Sequence, residues 1–245
     1  MARYYCVLLD ADNTLLDFDT AENKALAETL GHYGIEADNA TVQTYRDINE
    51  KLWASLEKGE IRREKIMSER FKRFLAAVNA AGDGVEMNRY YLSQLAQHPD
   101  ILPGALDVLD ELAEVATLAV VSNGVEEVQQ QRMRDSHVAD YMEDIFVSEK
   151  VGFDKPDRRF FEQALRTLGI ENGRHVLVVG DSLGGDIKGG INAGLATCWF
   201  NPGRTENTTG IKPDYEIHSL EELYPIVMEE DELANVGNKN RKHMV

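Results

Sequence analysis

The chain has 245 residues, 43% hydrophobic and 28% charged, which is ordinary for a globular protein and enough for a sizeable core. Its formal net charge of −17 excludes duplex nucleic acid held through clustered Lys and Arg, and it offers no long-range attraction to a small anion. No apolar run is long enough to cross a bilayer, no signal or transit segment precedes the first strand, and Cys6 and Cys198 lie in apolar runs as buried free thiols, so the expectation is a cytoplasmic protein with no membrane partner.

An apolar run from Tyr4 to Leu9 reads as a buried parallel strand. It ends in Asp10-Ala11-Asp12-Asn13-Thr14. Asp19 and Thr20 are candidate caps for a helix from Ala21 to Tyr33, with Glu22 three residues after Asp19 in the manner of a capping box. Helical spacing then predicts helices over 41–58 and 61–81, and a fourth carrying Met87, Tyr90, Tyr91 and Leu95, with Gly59 and Gly82-Asp83-Gly84 as breaks. Residues 18–97 thus read as an all-helical unit. His98-Pro99-Asp100 reads as a hinge, because proline disfavours helix at the residue before it.

Beyond Ile101 the texture alternates: helix 105–114, strand 117–121, helix 125–136, strand 145–147, helix 159–168, strand 175–179, helix 186–193, strand 197–200, strand 215–217 and helix 220–228. Such alternation predicts an α/β fold, a Rossmann-like three-layer α/β/α sandwich around a parallel sheet with right-handed crossovers. The first strand must join that sheet, so residues 1–17 and 98–228 form the core and the helical block is an insertion. The polar stretch 229–245 is expected to be a flexible tail.

In open α/β sheets, ligands sit beyond the carboxyl ends of the strands. Asp-x-Asp after the first strand is either a turn or a pair of carboxylates delivered to that edge. Ser122-Asn123-Gly124, after strand 117–121, is either an ordinary N-cap or an anion site at a helix start. Gly180-Asp181 through Gly185-Asp186 follows strand 175–179; an N-cap role accounts for Asp186 but not for Asp181. Lys155 before Pro156 is either solvated or aimed at the same edge. If the sheet assignment holds, Asp10, Asp12, Asp181 and Asp186 meet Ser122 and Lys155 at one crevice. Two carboxylates about 4 Å apart repel by roughly 4 kcal/mol at an effective dielectric near 20, so either some are protonated or a hard divalent cation lies among them. Oxygen-only donors favour Mg²⁺, and the absence of Cys and His from these stretches disfavours zinc.

These stretches, in this order, resemble the haloacid-dehalogenase superfamily of hydrolases with a helical cap after the first strand. Asp10 to Leu15, Asp186 to Gly194 and Thr197-Cys198-Trp199 further resemble the YjjG-type pyrimidine 5′-nucleotidases. The resemblance implies Asp10 as a nucleophile forming an aspartyl-phosphate and Asp12 as the general acid and base. Thr14, Ser122 and Asn123 would hold phosphate, and Lys155 would offset its charge. Mg²⁺ would be bound by Asp10, the carbonyl of Asp12, Asp181 and Asp186. The implied partner is a small phosphorylated metabolite, a nucleotide, with sugar-phosphate or phosphoglycolate phosphatases, hexose-phosphate mutases and a silent binding module as alternatives. Trp53, Tyr45, Arg62, Arg63, Arg70 and Phe18 are the cap-side residues weighed as substrate contacts. The aromatics at helical spacing more often form bundle core, and the arginines are more often solvated.

Overall fold

A computed structural model describes residues 2–228. The expectation for 229–245 falls outside them. Six strands form one parallel sheet in the order β3-β2-β1-β4-β5-β6: β1 (Cys6–Leu9), β2 (Thr117–Ser122), β3 (Asp144–Val147), β4 (Val176–Gly180), β5 (Ala196–Phe200) and β6 (Tyr215–Ile217). The centre of the sheet is apolar on both faces. Val7, Leu9, Val120, Leu177 and Val179 pack into one cluster, while Cys6, Leu8, Val121, Val176 and Val178 pack into another with Phe160 and Phe161. This is the doubly wound α/β architecture that the alternating elements imply. Both cysteines are buried and free, and burial pushes the Cys6 thiol up to about 12, so neither is poised to react. Among the described residues no helix is long and apolar enough to cross a membrane.

Between β1 and β2 the chain forms α1 (Phe18–His32), α2 (Asn39–Glu57), α3 (Arg63–Ala77) and α4 (Gly84–Leu95), then α5 (Ala105–Ala113) against the sheet. The first four helices pack on one another through Leu26, Leu30, Tyr45, Phe71, Phe74 and Tyr91, an apolar cluster separate from the two beside the sheet. The chain leaves and returns side by side. The Asp17 N–H donates to the Asp100 carbonyl at 2.9 Å, the Leu102 N–H donates to the Leu15 carbonyl at 2.9 Å, and Leu16 bridges Ile101.

Several local expectations need correction. The helix after the first motif starts at Phe18, and its N-cap is Asp17, whose carboxylate accepts from the Thr20 N–H, rather than Asp19 or Thr20. Glu22 forms no capping box: it is buried on the inner face of α1 and accepts from Asn49. The box that does form is Ser219 with Glu222, before α10 (Leu223–Met228). The helix expected from Asp186 is preceded by a wider π turn, Leu183–Ile187, and α9 proper runs Lys188–Ala193. Glycines at 184 and 185 favour such an irregular entry, because they weaken the regular helix there. Helix α7 (Ser148–Val151), between β3 and α8 (Arg158–Thr167), was not legible, being only one turn long.

Candidate active site

The carboxyl ends of β1, β2 and β4 deliver the three motifs to one edge, because parallel strands in register end together. Leu9 pairs with both Val120 and Val179. Asp10 is 7% exposed, and its backbone N–H still donates to the β4 carbonyl of Val179. Lys155 arrives from the loop before α8 and is buried. Its Nζ donates to Asp10 Oδ1 at 2.6 Å, to Asp186 Oδ1 at 2.6 Å and to the Val121 carbonyl at 2.7 Å. Those acceptors consume all three ammonium protons, so the cation is fixed in position as well as in charge. The two carboxylates hold Lys155 well above the ordinary lysine range, overcoming the opposing effect of burial.

Asp10, Asp181 and Asp186 each present a carboxylate oxygen within 4.8 Å of the others. Burial and mutual repulsion raise both Asp10 and Asp181, with Lys155 acting against the shift. Three clustered carboxylates, those of Asp10 and Asp186 buried and that of Asp181 half-buried, against one ammonium leave an excess of negative charge. A cluster made only of hard oxygen donors fits Mg²⁺ and does not fit a soft or nitrogen-seeking metal. Gly180 is required at its position, because a Cβ there would overlap the carboxyl group of Asp186.

The Asp12 side chain turns away from that cluster. Its Oδ1 pairs with Arg132 at 2.5 Å and its Oδ2 accepts from Gln129 Nε2 at 2.8 Å. Both partners lie on α6 (Glu126–Asp135). Gln129 Nε2 also donates to Ser122 Oγ at 2.8 Å, and the Gly124 N–H donates to the same oxygen at 2.9 Å. With both acceptor positions filled, the Ser122 hydroxyl proton is left to donate outward. Thr14 Oγ1 lies 3.5 Å from Asp10 Oδ2. Asn123 is committed differently from the expectation: its carboxamide bonds both the backbone N–H and the carbonyl of Lys155, each at 2.9 Å. One Nδ2 proton of Asn123 is committed there and the other is left for an anion, while the carboxamide also sets where Lys155 stands.

Helices α1–α4 roof this edge and enclose a cavity of about 490 Å³ that Asp10, Asp12, Ser122, Lys155, Asp181 and Asp186 also line. Of the cap-side candidates, Phe18, Trp53 and Arg70 border the cavity, whereas Tyr45 is fully buried bundle core. The solvated reading of the arginines holds for Arg62 and fails for the other two. Arg70 is 2% exposed among Asn49, Asn88 and aromatic rings. Arg63 reaches from α3 across to the carbonyls of Asn123 and Gly124 and to Ser148 Oγ. A second crossing contact joins Glu57, at the end of α2, to Ser182 Oγ at 2.6 Å.

Sequence spacing points to no role at the site for Arg132, Gln129 and Glu57, and gives Glu22 only a place in a capping box. The signal for two of them was present. α6 buries Val128, Gln129, Arg132 and Met133, so Gln129 and Arg132 occupy inner-face positions where the helical period calls for apolar residues.

Comparison with known proteins agrees with this geometry. Residues 4–194 match the model of the haloacid dehalogenase-like hydrolases. The HAD-hydrolase YfnB of Bacillus subtilis is 38% identical, over 93% of this chain and 97% of its own. A crystal structure of YfnB bound to magnesium, described as revealing interdomain movement, superposes with a TM-score of 0.88 over 92% of this chain and 99% of its own. The pyrimidine 5′-nucleotidase PynA of Streptococcus pneumoniae is 36% identical over 90% of this chain and 93% of its own. The pyrimidine 5′-nucleotidase YjjG of Escherichia coli is 33% identical over 89% and 95%.

Proposed function

Since the chain belongs to the haloacid dehalogenase-like hydrolases, we propose that it hydrolyses phosphomonoesters with Mg²⁺, and that its substrates are nucleoside 5′-monophosphates, pyrimidine nucleotides first among them. The observation that carries the reaction type is the fixed, buried Lys155 between the carboxylates of Asp10 and Asp186. That arrangement suits a nucleophile and a charge-balancing group at a phosphate site. The pyrimidine preference is supported by the activities named for PynA and YjjG.

In this reading, residues 18–97 act as a helical cap over a core made of residues 1–17 and 98–228. An Asp10 carboxylate oxygen attacks phosphorus, and the bond from phosphorus to the ester oxygen breaks as Asp12 gives that oxygen a proton. The phosphoryl group is left on Asp10. Asp12 then takes a proton from water, which attacks phosphorus and frees phosphate and Asp10. Thr14, Ser122 and the backbone around Asn123 hold the phosphoryl oxygens, and Lys155 offsets their charge. Asp10, Asp181, Asp186 and the Asp12 carbonyl would hold Mg²⁺, which when bound lowers the repulsion between the attacking carboxylate and the phosphate dianion. The cap excludes bulk water, so the covalent intermediate meets only a selected water.

A matched panel of UMP, CMP, dTMP, AMP, ribose 5-phosphate, glucose 6-phosphate and phosphoglycolate tests the substrate class. The pyrimidine nucleotides are expected to have the highest kcat/KM. A sugar phosphate or phosphoglycolate that exceeded them by an order of magnitude would overturn the nucleotide assignment.

The contact between Arg132 and Asp12 makes a separate prediction. Removing the guanidinium in Arg132→Met leaves Asp12 held by Gln129 alone and without its charged partner. Hydrolysis of UMP, whose leaving alcohol requires a proton, should slow by roughly 10²-fold. Hydrolysis of p-nitrophenyl phosphate, whose leaving group departs as a stable anion, should slow much less. Equal losses on both substrates would confine Arg132 to a role in packing.

A further inference from the structure

Each of the four cap helices contributes a buried polar residue to one network: Glu22 on α1, Asn49 on α2, Arg70 on α3 and Asn88 on α4. The four converge. Asn49 Nδ2 donates to Glu22 Oε1 at 2.9 Å, Arg70 Nη1 donates to Asn49 Oδ1 at 3.3 Å, and Arg70 Nη2 donates to Asn88 Oδ1 at 2.6 Å. Glu22, Asn49 and Arg70 also border the cavity above Asp10. Burying such a network costs stability unless every member is satisfied, and one atom is not. Both hydrogen bonds to Glu22 from described residues, from Asn49 and from the Tyr91 hydroxyl, end on Oε1. Oε2 receives none, yet it is absent from the fully occluded orphan atoms and so keeps accessible surface. On a residue 7% exposed that borders this cavity, such an acceptor is open towards a ligand.

The charge of the cap side narrows what that ligand can be. Asp19, Glu22, Glu50 and Glu57 line it, and Arg70 is its sole basic residue. Arg70 is already spent on Asn49, Asn88 and the faces of Phe71 and Tyr91. A second anionic group on the substrate would face four carboxylates against a single guanidinium already engaged with Asn49 and Asn88. A flat, neutral group bearing N–H donors would meet an open carboxylate oxygen, with Phe18 and Trp53 beside it on the same wall. Burial pushes the Glu22 carboxyl up to about 7, with Arg70 and Arg46 pulling the other way, so their positive charge offsets only part of the cost of burying its charged form.

Building on the phosphatase reading above, we infer that Glu22, oriented by Asn49, accepts a hydrogen bond from an N–H of the heterocyclic base of a nucleoside 5′-monophosphate, and that the acidic cap wall excludes esters whose distal portion is anionic. The wild-type enzyme therefore discriminates UMP from orotidine 5′-monophosphate, which adds only a carboxylate to the same base. The kcat/KM ratio should favour UMP by at least tenfold. In Glu22→Gln the ratio of kcat/KM for UMP to that for ribose 5-phosphate, which has no base, should fall by roughly 10- to 100-fold, the range set by a hydrogen bond to a charged group. Uridine should likewise lose potency as an inhibitor of p-nitrophenyl phosphate hydrolysis.

Equal turnover of orotidine 5′-monophosphate and UMP by the wild type overturns the acidic-wall argument. A folded Glu22→Gln that slows UMP and ribose 5-phosphate by the same factor overturns the role of Glu22. Should that variant fail to fold, the wild-type UMP to orotidine 5′-monophosphate ratio decides alone. A wild type that cleaves no phosphomonoester is a different failure, one that removes the phosphatase reading itself.

Discussion

Asp10→Asn is expected to abolish turnover, by roughly 10⁴-fold or more, as removal of a nucleophile does in enzymes whose groups act as a unit. The substitution is close to isosteric. Asn Oδ1 still accepts from Lys155, which keeps its bonds to Asp186 and the Val121 carbonyl, so the edge of the sheet retains its shape. What disappears is an anionic oxygen able to attack phosphorus, since the amide nitrogen is not nucleophilic. Fold should not suffer. Removing the buried Asp10 charge from a cluster of three carboxylates relieves repulsion, so without added divalent cation the variant's Tm should match or exceed that of the wild type. Steady-state phosphate release and thermal unfolding on the same preparations check both halves. Turnover above 1% of wild type would refute Asp10 as the nucleophile, and a lowered Tm would show that the ionised carboxylate stabilises the fold rather than straining it.

The fold was legible because two signals agree in this chain. The strands that became β1, β2 and β4 are short, continuous apolar runs, and each is followed by a polar turn and then a helix. Buried parallel strands produce that pattern and few other structures do. Helix boundaries were less readable where two residues competed for one task. Asp17 and Asp19 both lie where the first cap helix begins, one before Phe18 and one in the first turn. Asp17 wins because its backbone is tied to Asp100 while its carboxylate reaches the Thr20 N–H, and that long-range pairing has no local signature. The π turn before α9 is similar, since its register depends on Asp186 turning back toward Lys155 and the Ser182 N–H.

The site was legible in the residues at strand ends and in the loops that follow them, Lys155 and Asp186 included. Asp10, Ser122 and Asp181 follow apolar runs, so topology alone brings them together. Glu22, Asn49, Arg70, Gln129 and Arg132 sit inside helices and look like surface polarity until the period is counted. On the apolar stripe of its helix each is an exception, since a charged or amide side chain placed there has to be matched by partners from other helices. Sequence spacing can reveal such exceptions. It cannot pair them, because Asn49 with Glu22 and Arg132 with Asp12 are contacts between separate elements. The same limit hid the second task of Asn123. Its motif position suits phosphate binding, and its carboxamide also ties down the backbone of a residue 32 positions away.

Removal of divalent cation is expected to cost at least roughly 10³-fold in activity, and Mg²⁺ should restore it. The reasoning is electrostatic. Three carboxylates with oxygens within 4.8 Å face one ammonium, and an incoming phosphate dianion would add to the excess. A divalent cation beside that ammonium is what allows Asp10 to stay ionised and also approach an anion. The stability of the free enzyme gives a readout that does not depend on turnover. A ligand that binds only the folded state stabilises it by about 2.7 kcal/mol at a hundred times its Kd, so saturating Mg²⁺ should raise Tm by several degrees. Asp181→Asn should abolish most of that rise and weaken the Mg²⁺ dependence of kcat/KM, because its carboxylate, unlike those of Asp10 and Asp186, makes no hydrogen bond to Lys155 and is free for the ion. An enzyme indifferent to EDTA whose Tm ignored Mg²⁺ would require the acidic cluster to work protonated, with Lys155 alone balancing the phosphate.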